Sequence, residues 1–302
     1  MAHDHDHRSG TRARLSIALA IVGVFLVVEV VGALVSGSLA LLADAGHMLS
    51  DGLGLVVALV ASAVAARPAT DRQTYGFRRA EVFGALLNGG LLAVVAVGVA
   101  IQAIMRLVNP DDVHVAGLPL LLVAIAGLAA NVACALVLRG GRNDSINMRA
   151  AYLEVLGDLL GSVAALAAGI VVLSTGFEAA DAIASVVIAA LILPRAVSLL
   201  RDVVHVLSQA TPKGTDVEEI RQHILGTSGV VEVHDVHVWQ VTSGAPVFSA
   251  HVVVQSAMFR SGFTDELLDR LSECLTDHFD VEHSTFQLEP AEHADHESHL
   301  HR

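Results

Sequence analysis

The chain has 302 residues, 54% of them hydrophobic and 16% charged, and carries a formal net charge of -13. That acidity excludes nucleic acid as a natural partner and suits a metal cation instead. Apolar residues crowd into the first two thirds, which excludes an ordinary soluble domain there and points to a bilayer.

In chain order, residues 1–14 read as a polar cytosolic tail in which His3, His5 and His7 alternate with acids. Such a tract either gathers metal loosely or is simply a solvated tail. Crossing about 30 Å of hydrocarbon takes roughly 20 mostly apolar residues. Six stretches meet that length, at about 15–36, 39–66, 80–106, 117–138, 147–174 and 178–200, giving a transmembrane domain over 15–201. The first stretch exceeds signal-peptide length and is followed at once by another span, so it reads as a retained anchor. Residues 202–290 have the composition of a soluble domain, and 291–302 form a second His-rich tail with His293, His296, His299 and His301.

Arginines near span ends set the orientation. Arg8, Arg12, Arg14, Arg67, Arg72, Arg78, Arg79, Arg139, Arg142, Arg149, Arg195 and Arg201 fall on one side, whereas the opposite loops offer only Arg106. Both termini and the soluble domain are therefore expected in the cytoplasm. The brevity of the chain and the lack of an organelle-targeting segment suggest a bacterial plasma membrane. Cys134 in a span and Cys274 in the soluble part occupy environments too different for a disulfide and carry no functional signal of their own.

Ionisable groups inside hydrocarbon are costly, by at least about 2.5 kcal/mol for an aspartate, so each needs a reason. Span two holds Asp44, His47 and Asp51, and span five holds Glu154 and Asp158. Residues three and four apart share a helix face. Two such pairs can converge into a tetrahedral set of imidazole nitrogen and carboxylate oxygen, which zinc accepts. Asp44 is as readily a structural hydrogen-bonder as a pathway group. Glu29, Asn88, Gln102 and Asn131 read as interhelical hydrogen-bonders or pathway-lining groups. Gly46, Gly52 and Gly54 in span two, with Gly157, Gly161 and Ser162 in span five, are small enough to let those spans touch.

The segments SLALLADAGHMLSDGLGL, YGFRRAEVFGALLNG, NMRAAYLEVLGDLLGS, HDVHVWQVTSG and FSAHVVV resemble the cation diffusion facilitator family along nearly the whole chain. The resemblance implies a homodimer with a transport site between spans two and five that alternates between cytosolic and outer access. His47, Asp51 and Asp158 fall on the family's ligand positions. Glu154 departs from them, because zinc-selective members usually have histidine there. The site is thereby harder in character, which leaves zinc as the leading substrate but gives manganese, cobalt, iron or cadmium more room than usual. No cofactor is implied; the metal is the substrate and a possible regulatory ligand.

Histidine and carboxylates must lose protons to bind a cation, which makes metal out for protons in the natural exchange. His47 and Glu154 are expected to exchange protons, and Asp51 and Asp158 to supply permanent negative charge. The soluble part reads as helix, strand, strand, helix, strand over 216–289, a small α+β domain. In the family this domain is ferredoxin-like and dimerises. His234, His237 and His251 are expected to face one another across the hairpin, with His283 and Glu289 on the third strand. His234, His251, His283 and Glu289 fall where the family can carry cytosolic metal sites, and Trp239 reads as core or dimer packing. A membrane metalloenzyme is disfavoured by the lack of an HExxH motif. A membrane-anchored sensor would have no use for ionisable pairs within the spans, and a channel is separable only by flux measurements.

Overall fold

The computed structural model describes residues 3–109, 114–140, 146–257, 262–279, 281 and 283–294, with side chains described outside 3–15, 55, 58 and 146–151. Six long helices come first: α1 His3–Ser36, α2 Leu39–Ala65, α3 Ala80–Val108, α4 Gly117–Arg139, α5 Ile146–Thr175 and α6 Ala179–Leu207. Each contains a stretch long and apolar enough to cross a membrane. The chain divides into two compact units, one of residues 1–57 and 87–200, the other of 58–86 and 201–302.

The first unit packs mostly small residues at its centre. Ala40 and Ala43 of α2, Ala96 of α3, Ala165 and Ala168 of α5, and Ile188 and Ala196 of α6 are all buried in one cluster. Large side chains point the other way: Leu34 is 76% exposed and Val94 70%. Such an inverted surface is stable only against lipid tails, where helix association relies on close packing of small residues.

Two spans run past their expected ends. Helix α6 continues to Leu207 because Val203 and Val206 still bury a stripe, against Val82. Helix α1 begins at His3, so from there the segment expected as a tail continues the first helix. Of the C-terminal histidines, His293 lies in a short helix at Ala291–Ala294, and His296, His299 and His301 lie outside the described residues.

The second unit carries helix α7 Val217–Leu225, strands β1 Val230–Gln240 and β2 Pro246–Val254, helix α8 Thr264–Phe279, strand β3 His283–Pro290 and the short helix α9 Ala291–Ala294. Asp216 caps α7 by accepting from the amides of Glu218 at 2.9 Å and Glu219 at 3.3 Å, the usual role of aspartate before a helix. The sheet order is β1-β2-β3, antiparallel in the first pair and parallel in the second. A parallel neighbour needs a crossover, and α8 supplies it. Side chains alternate along β2. Phe248, Ala250, Val252 and Val254 face Ile220 and Ile224 of α7 and Leu267, Leu271 and Leu275 of α8. His251 therefore faces the opposite side of the sheet.

Candidate metal centres

The membrane site starts from a pinned helix end. Asp181, in the first turn of α6 and 1% exposed, accepts from the amides of Leu39 at 2.8 Å and Ala40 at 3.3 Å and from the Ser38 hydroxyl. Ser38 in turn accepts from the Leu41 amide at 3.2 Å. A carboxylate at a helix N-terminus also meets the positive end of the helix dipole. Arg106 lies 3.6 Å from Asp181 and donates to the Gly37 carbonyl at 2.8 Å. This knot fixes where α2 begins and hence which of its residues face inward.

From there the helical repeat carries Asp44, His47 and Asp51 along one face. Asp44 and His47 are buried, at 3% and 7% exposure. His47 bridges two helices: its Nδ1 lies 3.4 Å from Asp51 Oδ2, and its Nε2 lies 3.4 Å from Asp158 Oδ1 of α5. A cavity of about 190 Å³ opens beside His47 and Asp158, and its lining also includes Asp44, Gly157, Gly161 and Arg195. At Gly161 a Cβ would sit 3.2 Å from Asp44 Oδ1, so a larger residue would crowd the carboxylate. At Gly157 a Cβ would meet nothing within 4 Å, which marks that position as open space beside the site.

Glu154 is held by Arg195, whose Nη2 donates to Oε1 at 2.5 Å. The sequence placed Arg195 among the cations that end span six. Helix α6 instead continues well past it, and the side chain lines the cavity and partners a carboxylate forty-one residues away in sequence. Pro194 immediately before it lacks the amide that would continue the helical ladder.

Two further polar pairs join helices within the spans. Ser50 of α2 donates to Asn88 of α3 at 3.4 Å, and a Cβ at Gly54 would come within 2.6 Å of the same Asn88 amide group. Asn131 of α4 donates to Ser162 of α5 at 2.9 Å. Glu29 of α1 is buried at 1% exposure. Gln102 lies exposed on α3 rather than between helices.

In the second unit a β-bulge shapes the polar face of the sheet. His234 pairs with His251, but His237 pairs with Ser249, so β1 has one residue more than β2 between them. Asp235, at the bulge, has a φ of 51°. Without the extra residue, His234 and His237 would face opposite sides; with it, both share the side of His251. Glu289 of β3, 1% exposed, closes the group, with Oε1 2.7 Å from His251 Nδ1 and Oε2 3.5 Å from His234 Nε2. Asp235, which sequence reasoning missed, reaches His237 at 3.0 Å and His251 at 3.9 Å. His234, His251 and Glu289 each offer a ligand atom within 4.8 Å of the others.

His283 is not brought to this group. It lies six residues before Glu289 on β3, about 20 Å away at the usual strand rise, and its ring packs edge-on to Tyr75 with centroids 5.9 Å apart. Trp239 is half-buried on β1, opposite Val247.

Six helices long and apolar enough to cross a membrane define a multi-pass membrane protein, and between two of them a histidine meets carboxylates. Residues 15–208 match the cation efflux transmembrane domain, and residues 212–291 match the cation efflux protein cytoplasmic domain. The chain belongs to this cation efflux, or cation diffusion facilitator, family, and is a metal cation efflux transporter rather than an enzyme. It is 40% identical over 300 residues to the metal cation efflux system protein CzcD of Cupriavidus metallidurans, covering 99% of this chain and 93% of that protein. Against the zinc transporter ZitB of Pectobacterium atrosepticum the identity is 44% over 292 residues, covering 96% of this chain and 89% of that protein. The cadmium, cobalt and zinc/H(+)-K(+) antiporter of Bacillus subtilis is 35% identical over 295 residues, covering 97% and 93% respectively.

Proposed function

We propose that this transporter exports zinc from the cytosol in exchange for protons, through a site formed by His47, Asp51 and Asp158 with Glu154 as a recruitable fourth ligand. The observation that carries the reading is His47 held between carboxylates of two different helices at 3.4 Å each. Imidazole and carboxylates are a set that zinc accepts, in tetrahedral array. Charge supports it further. Asp51, Glu154 and Asp158 carry three negative charges and Arg195 one positive, leaving two for a divalent cation to neutralise. Arg195 thus offsets the additional carboxylate that Glu154 brings, a balance that suits any divalent cation, and the imidazole of His47 keeps zinc the leading substrate among them. A relative named a zinc transporter supports the same metal, and another is named for cadmium and cobalt besides zinc.

His47 must be neutral to ligate, so binding displaces a proton from it whenever it is charged. His47 acts as the proton-exchanging group, joined by Glu154 once Arg195 releases it, and Asp51 and Asp158 act as the fixed anions. A relative named for antiport against protons supports that coupling. His234, His251 and Glu289, with Asp235 beside them, form a cytosolic site that regulates rather than carries. The working protein is a homodimer in a bacterial plasma membrane, with 1–14, 202–290 and 291–302 on the cytoplasmic side of the span domain 15–201. The arginine distribution supports that orientation.

Uptake of zinc, manganese, cobalt, iron and cadmium into proteoliposomes under an imposed pH gradient tests the proposal. Zinc flux should saturate, require the gradient and vanish in Asp158→Ala. Flux that ignores the gradient would make the protein a channel or uniporter, and normal flux in Asp158→Ala would remove the site.

A further inference from the structure

We infer that His223, Cys274 and His278 form a separate metal site on the helical side of the cytosolic domain, taking a thiolate-accepting divalent cation of the zinc, cobalt and cadmium type. Cys274 and His278 stand four residues apart on α8 and so share a flank of that helix. The neighbouring positions Leu267, Leu271 and Leu275 fill the core. His223 precedes the buried Ile224 on α7, which packs in the same core. Two helices that share one core thus bring two imidazoles and a thiol to a common edge.

The geometry is that of a site ready to close. His223 Nδ1 lies 3.9 Å from Cys274 Sγ, and one ligand atom from each of the three residues lies within 4.8 Å of the other two. Tetrahedral zinc, with bonds of about 2.0 Å to nitrogen and about 2.3 Å to sulfur, holds its ligands about 3.5 Å apart. Side-chain rotations of about 1 Å therefore complete the shell. Both rings are already oriented. His278 Nδ1 lies 3.1 Å from the Cys274 carbonyl, which can only accept, so Nδ1 carries the proton and Nε2 the lone pair. His223 is flanked edge-on by the rings of His278 and Phe279, each at 5.2 Å between centroids. Cys274 is partly buried and is a free cysteine.

This group is distinct from that of His234, His251 and Glu289, because the sheet separates them: His251 alternates with the β2 residues that face α7 and α8. It also differs in kind. Sulfur makes it softer than either all-nitrogen-and-oxygen site, and three protein ligands leave a fourth position to water. A bound cation joins α7 to α8, so cytosolic metal tightens the helical layer of the domain.

Cobalt is the probe of choice, because a thiolate-to-cobalt charge-transfer absorption arises only where sulfur is a ligand. Added to the purified full-length protein in detergent, cobalt should produce that absorption and zinc should abolish it. Cys134→Ser should keep the signal and Cys274→Ser should lose it. His223→Ala and His278→Ala should each weaken cobalt binding at least about tenfold. Asp158→Ala should leave the absorption intact whatever it does to transport, so failure here and failure of the transport site are separable. As a second reading on the folded protein, zinc should slow alkylation of Cys274 by iodoacetamide at least about tenfold in a Cys134→Ser chain. No charge-transfer band, a band that survives Cys274→Ser, or an alkylation rate unchanged by zinc would each overturn the inference.

Discussion

Glu154 in the spans is held by Arg195 at 2.5 Å, whereas Glu289 in the cytosolic sheet faces His251 at 2.7 Å and His234 at 3.5 Å. A guanidinium keeps its charge at every accessible pH, but an imidazole loses its charge near neutrality. In the proposed reading, a metal entering the membrane site competes with a fixed cation for Glu154, whereas one entering the sheet meets a carboxylate flanked by histidines that can themselves turn to the metal. The lesson is that two sites with similar ligands can be gated differently by the partner each carboxylate keeps when metal is absent. Glu154 has to leave that pairing before a metal bond can replace it.

The largest test of that contrast is removal of a fixed anion. Asp51→Ala or Asp158→Ala should cut zinc flux at subsaturating metal by at least about 100-fold, since even an outer-shell partner commonly costs 10–100-fold. Residual flux near the unaltered level would leave the contrast without its membrane half. Asp181→Ala should come next, lowering stability by about 2 kcal/mol through the loss of a charged cap on α2, read as the melting temperature in detergent.

Arg195→Gln sharpens the comparison directly. By releasing Glu154 it should tighten zinc binding by about tenfold, or about 1.4 kcal/mol, measured by calorimetry on the purified protein. Unchanged affinity would mean that Glu154 never joins the metal. The smallest effect is expected at the bulge, where Asp235→Ala should weaken zinc binding to the strand site by about threefold, or about 0.6 kcal/mol, with transport preserved. Lowering the pH should weaken zinc binding at both sites, because a protonated imidazole has no lone pair to offer a metal.

The difference also explains what could be read from sequence. Asp51 follows His47 by four residues and Asp158 follows Glu154 by four, and on a helix such spacing is already a shared face. The span boundaries followed from hydropathy for the same reason, with α2 and α3 beginning at the expected residues. The Arg195–Glu154 pair and the Asp181 cap were hidden because each joins residues far apart in sequence, and nothing local marks them. On the sheet, one extra residue in β1 reverses which side every later side chain faces. Alternation alone therefore could not foresee that Asp235 joins the histidines. The same alternation placed His283 on the correct side but could not register its separation from Glu289 along the strand. At the helical edge, the four-residue spacing of Cys274 and His278 was visible, but its partner His223 came only with the packing of α7 against α8.

The knot at Ser38, Arg106 and Asp181 turns α2 into a lever with a fixed fulcrum. At about 1.5 Å per residue, His47 lies about 12 Å and Asp51 about 18 Å along the helix from that end. A tilt of about 10° that leaves the knot intact sweeps His47 by about 2 Å and Asp51 by about 3 Å. In the proposed transport site one small swing therefore displaces His47 and Asp51 unequally relative to Asp158, and the pivot needs no bond to break.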